Sequence, residues 1–221
     1  FFIILMIAAC NNNTAVKEKK KIKFNKSDYS IEVIDEKQIP VSSGSGITGF
    51  NHGFLVVGDD SPWLFYMDST GVITDSLRLS HEEGYAPGMR MPGLLKPDFE
   101  TITMLDENRA LIISSGSSNE ARDTSYLVDV DNKAIILHRS MGDLFEALAE
   151  SAGIDDRHEL NIEGSTLVKN SLYLFNRGDF SEKNLVFKLD ADDFISYFTG
   201  QTNALPRFET TRIILPEDED D

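Results

Sequence analysis

Three segments of the chain repeat one pattern of apolar runs and turns, and this repetition limits the possible folds more than any other feature. The segments are residues 43–68, 96–131 and 159–190. Each contains two short apolar runs joined by a turn, then a variable loop, then a third apolar run that ends in aspartate. Short runs of β-branched and aromatic residues between turn signals are typical of strands. Repeats of this kind indicate an array in which each unit packs on its neighbours.

A fourth apolar run follows each repeat: GVITDSLRL after the first, KAIILHRS after the second, and residues 210–216 after the third. Four antiparallel strands per unit, with the first strand innermost, make the blade of a β-propeller. The sequence therefore predicts an all-β propeller with four-stranded antiparallel blades. Because a closed ring needs about four blades or more, we expect an incomplete ring whose C-terminal blades are missing. The alternative is a compact β-domain with an acidic tail.

Two short helices are expected in the loops between these strands. Residues 141–152 place apolar side chains at helical spacing, and Gly153 follows as a C-cap. A second helix is expected over residues 192–198, with Asp192 as its N-cap. Residues 30–40 read as an isolated strand, which in many propellers is the outer strand that closes the ring.

The N-terminal residues predict export and lipid anchoring. Residues 1–9 read FFIILMIAA, and Cys10 follows directly. An apolar run followed by small residues marks a secretory signal peptide, and this run is shorter than the roughly 20 residues of a membrane-spanning helix. The segment Ile7-Ala8-Ala9-Cys10 resembles the lipobox of bacterial lipoproteins, which implies cleavage before Cys10 and a lipid on its sulfur. The alternative is a buried N-terminal strand with a chance cysteine.

This interpretation divides the chain into three parts. Residues 1–9 are expected to be a truncated signal peptide, because neither an initiator Met nor a basic segment precedes them. Residues 10–29 are expected to be the lipidated cysteine and a polar tether. Residues 30–221 are expected to be the propeller domain, held by the lipid at the cell envelope, on the periplasmic face or the cell surface.

The charge balance excludes one class of partner. The chain has 21 Lys and Arg against 37 Asp and Glu, a net charge of -16. Nucleic-acid binding rests on cationic contacts to phosphates, so nucleic acid is not expected as a partner. An acidic chain is compatible with cation binding, but a solvated acidic surface is the more common reason for such a charge.

Polar residues recur at two places in each repeat, and both places predict side chains near the propeller axis. Those at the start of the innermost strands are Ser45, Asp98, Glu100, Asn161 and Glu163. Those at the end of the second strands are Asp59, Asp60, Ser115, Ser117, Asn176 and Arg177. Polar groups directly beside apolar strands usually meet solvent, a partner or a ligand. All except Ser45, Asp98, Glu100 and Glu163 are candidate ligand-binding residues.

The carboxylates among them suggest two kinds of chemistry. Glu100 and Glu163 are candidate ligands for Ca²⁺, which prefers oxygen donors. Asp98, Glu100, Glu163 and Arg177 are also candidate catalytic residues, with the acids as a proton-transfer pair and the guanidinium as a bidentate donor to phosphate or carboxylate. The alternative is structural: an acidic residue at a fixed blade position can hold the neighbouring blade by accepting backbone N–H bonds.

The motifs KPDFET and LNIEGS resemble the D-x-E-G blade motif of phytase-like (esterase-like) β-propellers, and the chain as a whole looks like uncharacterised propeller lipoproteins of Bacteroidota. The resemblance covers about residues 40–190. Glu100 and Glu163 match the motif glutamates and Asp98 matches the preceding acid, whereas Asn161 departs from it. The resemblance implies a propeller fold and calcium-dependent chemistry on phosphate esters.

Two functions follow from these observations. The first is a binding module whose axial face holds a small molecule, a glycan or a partner protein. The alternative is a calcium-dependent, phosphoesterase-like hydrolase. A shared open channel with unpaired Glu100 and Glu163 oxygens would favour the hydrolase, whereas backbone hydrogen bonds from adjacent blades to both side chains would argue against it.

Overall fold

A computed structural model describes residues 39–80, 83–117, 120–178 and 183–213. These residues form three four-stranded antiparallel sheets, each with its strands in simple sequential order. The first sheet, blade 1, contains β1 (Gly44–Phe50), β2 (Gly53–Gly58), β3 (Trp63–Asp68) and β4 (Ile73–Arg78). Blade 2 contains β5 (Phe99–Met104), β6 (Arg109–Ser114), β7 (Thr124–Asp129) and β8 (Ala134–Ser140). Blade 3 contains β9 (Ile162–Val168), β10 (Ser171–Asn176), β11 (Leu185–Asp190) and β12 (Phe208–Arg212).

The innermost strands of the three blades lie side by side, with β5 between β1 and β9. Hydroxyl groups join them across the blades. Ser45 Oγ donates to the carbonyl oxygen of Phe99 at 2.5 Å. The Ser165 hydroxyl bonds those of Thr101 at 2.7 Å and Thr103 at 2.5 Å. This arrangement of blades about their first strands confirms the predicted all-β propeller fold.

Blade 2 is apolar on both faces because it lies between two other blades. Ala110 and Ile112 of β6 belong to the core shared with blade 1, and Leu111 and Ile113 belong to the core shared with blade 3. A strand buried on both faces reads as a continuous apolar run rather than an alternating one. The sequence ALII of β6 therefore follows directly from the central position of its blade.

Two helices pack into the core between blades 2 and 3. Helix α1 spans Gly142–Ser151 and buries Leu144, Phe145 and Leu148. Its C-cap is Ala152 rather than the predicted Gly153. Gly153 follows directly with a left-handed φ of 64°, which glycine adopts easily after a helix. Helix α2 spans Ala191–Phe198 and follows β11 directly.

Two further predicted boundaries differ from the structure, and one predicted strand lies mostly outside the described residues. The N-cap of α2 is Asp190, whose carboxylate accepts hydrogen bonds from the backbone N–H groups of Asp192 and Asp193, so the prediction of Asp192 as N-cap was wrong. The fourth strand of the last repeat begins at Phe208, two residues before the predicted start. The predicted closing strand lies outside the described residues except for Ile39 and Pro40, which are not in a strand.

The predicted signal peptide, Cys10 and the tether lie outside the described residues, and so does the acidic end of the chain. Among the helices in the part of the chain that the structure describes, none is both long and apolar enough to cross a membrane.

Candidate functional site

An open cleft lies where the innermost strands β5 and β9 begin and where the second strands β2, β6 and β10 end. We call it the axial cleft. Its volume is about 270 Å³. Its lining side chains are predominantly charged: Asp59, Lys96, Asp98, Glu100, Ser117, Arg122, His158, Glu159, Asn161, Glu163 and Arg177. The repeat brings together those groups that lie at strand ends, because equivalent strand ends of the three blades meet at the same end of the propeller.

Asp98 is the most connected side chain of the cleft. It precedes β5 and adopts a left-handed φ of 56°, a conformation that Asp tolerates better than most residues. One carboxylate oxygen, Oδ1, lies 2.5 Å from Lys96 Nζ. The other, Oδ2, accepts a hydrogen bond of 2.5 Å from Ser115 Oγ and lies 3.6 Å from Arg122 Nε. These contacts hold both oxygens of Asp98 in a defined orientation.

Lys96 bridges two blades through its ammonium group. Besides Asp98 of blade 2, it bonds Asp59 Oδ2 of blade 1 at 2.8 Å. Burial alone would lower the pKa of Lys96, but the hydrogen bonds to Asp59 and Asp98 raise it. The side chain is therefore a charged ammonium at neutral pH. The second oxygen of Asp59, Oδ1, is buried and has no hydrogen-bond partner among the described residues.

Glu100 is the exception among the buried acids of the cleft. Its relative exposure is 9%, and within the described residues its carboxyl group makes no hydrogen bond. Burial, together with the nearby charges of Glu163, Asp98 and Asp59, raises the pKa of Glu100 to about 8. Desolvation and like charges both disfavour the carboxylate, so this group is largely protonated at neutral pH.

Glu163 occupies the equivalent position on β9 but has a different environment. Its Oε1 lies 2.9 Å from Arg177 Nη1 and accepts a hydrogen bond of 2.7 Å from Asn161 Nδ2. Both partners come from blade 3. Within the described residues neither Glu100 nor Glu163 accepts a backbone hydrogen bond from an adjacent blade, so the structural alternative for these acids is not observed.

The carboxylates of Asp59, Asp98 and Glu100 could bind a metal ion. One oxygen from each lies within 4.8 Å of the others, and two of the three residues are buried. Oxygen-only ligand sets of this kind suit Ca²⁺ and other hard cations. The predicted metal ligand Glu163 lies in the same cleft but is not a member of this triad.

Three predicted ligand-binding residues lie behind the cleft and support its walls. Asp60 is buried, and its Oδ2 accepts bonds from Ser43 Oγ at 2.9 Å and Arg90 Nε at 2.5 Å. Burial would raise the pKa of Asp60, but hydrogen bonds from Ser42, Arg90 and Ser43 hold it below its usual value. Ser115 contacts Asp98 rather than the cleft.

Asn176 also holds the chain in place. Its side-chain oxygen accepts a hydrogen bond from the backbone N–H of Asn161 at 2.7 Å, and its amide nitrogen donates to the carbonyl oxygen of Lys183 at 3.0 Å. These bonds fix the start of β9, which carries Glu163, against the end of β10, which carries Arg177. The predicted residues Asp59, Asp98, Glu100, Ser117, Asn161, Glu163 and Arg177 line the cleft itself, and a binding or catalytic role for them stays a prediction.

Comparison with known families places the chain in one of them. Residues 40–220 match a family of unknown function, DUF6929. The chain belongs to this family. The match includes all of the residues that line the axial cleft. No curated protein shows significant similarity to the sequence.

Several solved structures resemble this DUF6929 chain distantly. Sqt1 of Saccharomyces cerevisiae is 9% identical over 63% of this chain and 27% of that chain, with a TM-score of 0.35. A protein of unknown function from Bacteroides caccae is 12% identical over 68% and 47% of the two chains, with a TM-score of 0.41. Apo AztD from Citrobacter koseri is 11% identical over 70% and 45%, with a TM-score of 0.28. The DUF6929 chain spans less than half the length of each of these proteins.

Four cleft residues of the DUF6929 chain were missed from the sequence: Lys96, Arg122, His158 and Glu159. Arg122 and His158 lie in loops that differ from repeat to repeat, whereas Lys96 and Glu159 are the first residues of the second and third repeats. The sequence did contain an indication for Lys96, because it is the first residue of the KPDFET motif and lies two residues before Asp98. Arg122 had none, because it ends a short 3-10 helix, Glu120–Arg122, that has no counterpart in the described residues of the other blades.

Proposed function

We propose that this protein is a ligand-binding propeller whose axial cleft takes a cation, with Ca²⁺ as the leading candidate. The observation that carries the proposal is Glu100. An acid that is nine-tenths buried, has no hydrogen-bond partner among the described residues and lies beside Asp59 and Asp98 is costly unless it is protonated or meets a cation. A bound divalent ion would relieve this cost for all three groups.

The remaining cleft residues support a polar ligand around that cation. Arg122 and Arg177 provide guanidinium groups, and Asn161 and Ser117 provide neutral polar groups. We propose that the ion anchors a small molecule, a glycan or a segment of a partner protein on the axial face. Guanidinium groups pair well with carboxylate and phosphate, so an anionic group on the ligand would suit this end of the cleft.

A calcium-dependent hydrolase is the second candidate. Glu100, with its pKa of about 8, can donate or accept a proton near neutral pH. Asp98 lies next to it with both oxygens held by other groups, and the phytase-like resemblance of the KPDFET and LNIEGS motifs supports chemistry on phosphate esters. Turnover of a panel of phosphate esters that requires Ca²⁺ and is lost in Glu100→Gln would favour the enzyme over the binding module.

Calorimetric titration of the protein with CaCl₂ tests the cation site. Dissociation constants of about 10⁻⁴ to 10⁻³ M are typical of extracellular calcium modules, and we expect binding in or below that range. Because Ca²⁺ needs ionised ligands, binding near pH 7 should release a proton from Glu100. The measured enthalpy should therefore change with the ionisation enthalpy of the buffer.

The matched variants are Glu100→Gln, which keeps the size of the side chain, and Glu107→Gln, which removes a charge from the exposed turn at the other end of β5. We expect Glu100→Gln to weaken calcium binding at least about tenfold and to abolish the buffer dependence. Glu107→Gln should change neither. Equal affinity in all three proteins would contradict the proposed site.

We also propose that the protein is anchored at the cell envelope by a lipid on Cys10. The support comes from Ile7-Ala8-Ala9-Cys10 alone. In a bacterial host, the exported protein should partition with the membrane fraction, and Cys10→Ser should move it to the soluble fraction. A Cys10→Ser variant that stays with the membrane would contradict lipid anchoring.

A further inference from the structure

We infer that Lys96 is a built-in competitor for the cation site: its ammonium group takes the space between Asp59 and Asp98 that a bound metal ion would use. This inference rests on the proposed cation-binding function and concerns how that site is controlled. A metal ion can bind these oxygens of Asp59 and Asp98 only when the side chain of Lys96 leaves.

The distances show that the two occupants would compete for the same two oxygens. Lys96 Nζ lies 2.8 Å from Asp59 Oδ2 and 2.5 Å from Asp98 Oδ1. Calcium bonds oxygen at 2.3–2.6 Å. An ion that bonded these two oxygens from the side that the ammonium occupies would overlap its nitrogen, and one bonded from another side would still place two positive charges next to it. Overlap and repulsion between like charges both prevent this.

Lys96 neutralises the site only in part. The groups that it leaves without a partner favour a ligand site over a purely structural salt bridge. Its ammonium contacts two of the three carboxylates, and Glu100 is left without a hydrogen bond in the described part of the chain. Asp59 Oδ1 is likewise buried without a partner. A divalent ion carries twice the charge of an ammonium and can bind six to eight oxygens, so it could engage the groups that Lys96 leaves over.

The side chain of Lys96 can leave without rearranging the fold. Its backbone is held by a 3.0 Å hydrogen bond from its N–H to the carbonyl oxygen of Pro92, and the backbone N–H of Asp98 bonds the carbonyl oxygen of Asp59 at 2.9 Å. The side chain is 21% exposed, so solvent reaches it. Lysine has a flexible four-carbon stem and its charge is a compact point. Rotation about that stem can therefore carry the ammonium into water while both carboxylates stay in place.

The competition should set both affinity and selectivity. A divalent ion must displace the ammonium group of Lys96, which is tethered to the chain and therefore always present at high effective concentration. Monovalent ions gain little by the exchange, whereas divalent ions gain Glu100 as an additional ligand. Lys96 would thus keep the site closed until a divalent ion, or a ligand with a comparable cationic group, is abundant.

The test is calorimetric titration with CaCl₂ of the wild-type protein, Lys96→Gln and Lys188→Gln. Lys188 lies on β11, away from the cleft, and pairs with Glu209, so its variant makes the same charge change elsewhere. We expect Lys96→Gln to bind Ca²⁺ at least about tenfold more tightly than wild type, and Lys188→Gln to match wild type.

A second measurement uses the wild-type protein, in case Lys96→Gln folds poorly. Limited acetylation followed by peptide mass spectrometry gives the reactivity of each lysine. If calcium expels the ammonium, the acetylation rate of Lys96 should rise at saturating CaCl₂ while that of Lys188 stays the same. An unchanged Lys96 rate in protein that has bound Ca²⁺ overturns the inference.

The outcomes separate this inference from the function on which it rests. Tight binding by Lys96→Gln, with weak or no binding by wild type, supports both. Equal affinities that are lost in Glu100→Gln leave the cation site standing and remove Lys96 as its competitor. No binding by wild type or by folded Lys96→Gln rejects the cation site itself, and with it the role of Lys96.

Discussion

At the scale of single residues, Glu100 and Glu163 show how environment separates two acids that the repeat makes equivalent. Glu163 is paired with Arg177 and Asn161, whereas Glu100 is buried among other acids. The difference arises because blade 3 places an arginine directly after β10, and the corresponding position of blade 2 holds Ser115. Glu163 therefore belongs to an ion pair, whereas Glu100 can bind a proton or a ligand.

The raised pKa of Glu100 predicts how stability varies with pH. The folded pKa is about 8 and the ordinary value is 4.5, so between these values the folded state holds one more proton than the unfolded state. The free energy of unfolding must then fall as pH rises through this window. Glu100→Gln has no carboxyl proton to lose. In metal-free buffer its free energy of unfolding should therefore rise relative to that of wild type as pH increases from 5 to 8.

Urea denaturation of both proteins at the two pH values measures this difference. One pKa unit corresponds to about 1.4 kcal/mol, so we expect the stability gap to change by at least about 1 kcal/mol in favour of Glu100→Gln. Parallel pH dependence of the two proteins would show that Glu100 is ionised in the folded state.

At the scale of elements, the aspartate that ends every third strand has one role throughout the chain. Asp68 accepts hydrogen bonds from the backbone N–H groups of Thr70 and Val72. In the second repeat the strand ends at Asp129 and not at the predicted Asp131, and Asp129 accepts a bond from the N–H of Asn132. Asp190 does the same for the first turn of α2. A short carboxylate at a strand end thus caps whatever follows, either a tight turn or a helix.

This equivalence predicts which of two neighbouring aspartates stabilises α2. Asp190→Ala removes the N-cap and should lower the free energy of unfolding by about 1 kcal/mol. Asp192→Ala is the matched control, because Asp192 lies inside the helix and its side chain accepts a bond from Asn170 Nδ2 at the surface rather than capping the helix. Urea denaturation gives both values, and an equal or larger loss in Asp192→Ala would contradict the assignment of Asp190 as the cap.

At the scale of the whole molecule, blade 3 buries one face and leaves the other partly open. Leu172, Leu174 and Phe187 point into the core shared with blade 2 and the helices. Phe175, next to Leu174 in β10, lies on the opposite face and is 38% exposed. Residues of the same strand should therefore contribute differently to the free energy of unfolding, depending on whether they face the core or the partly exposed side.

Truncation of these two neighbours tests the packing of the blades. Leu174→Ala leaves a cavity between blades 2 and 3 and should lower the free energy of unfolding by about 2–5 kcal/mol. Phe175→Ala removes a larger side chain, but from a partly exposed face, and should cost clearly less. Chemical denaturation of both variants gives the comparison, and a greater loss in Phe175→Ala would mean that the outer face of blade 3 is covered by another part of the protein.

The fold could be read from the sequence because its signals are local and repeated. Apolar runs, turn residues and strand-end aspartates recur in the same order three times, and each copy predicts strands from its own residues. The meeting of Asp98, Glu100, Asn161 and Glu163 near one axis was predictable for the same reason. Equivalent strand ends in stacked blades must lie at the same end of the array.

Only the tertiary structure decided what that end of the propeller can do. Arg122 and His158 reach the cleft from loops that no repeat relates, and Lys96 and Glu159 occupy equivalent positions but carry opposite charges. The contacts of all four depend on distances between blades. Asp60, Ser115 and Asn176 satisfy the same sequence pattern as their cleft neighbours but face inward to other partners. The burial of Glu100 next to other carboxylates likewise results from the packing of the blades. Strand periodicity is a property of successive residues, whereas burial and charge pairing depend on groups far apart in the chain, and for that reason the sequence specified the blades but not the chemistry of their shared cleft.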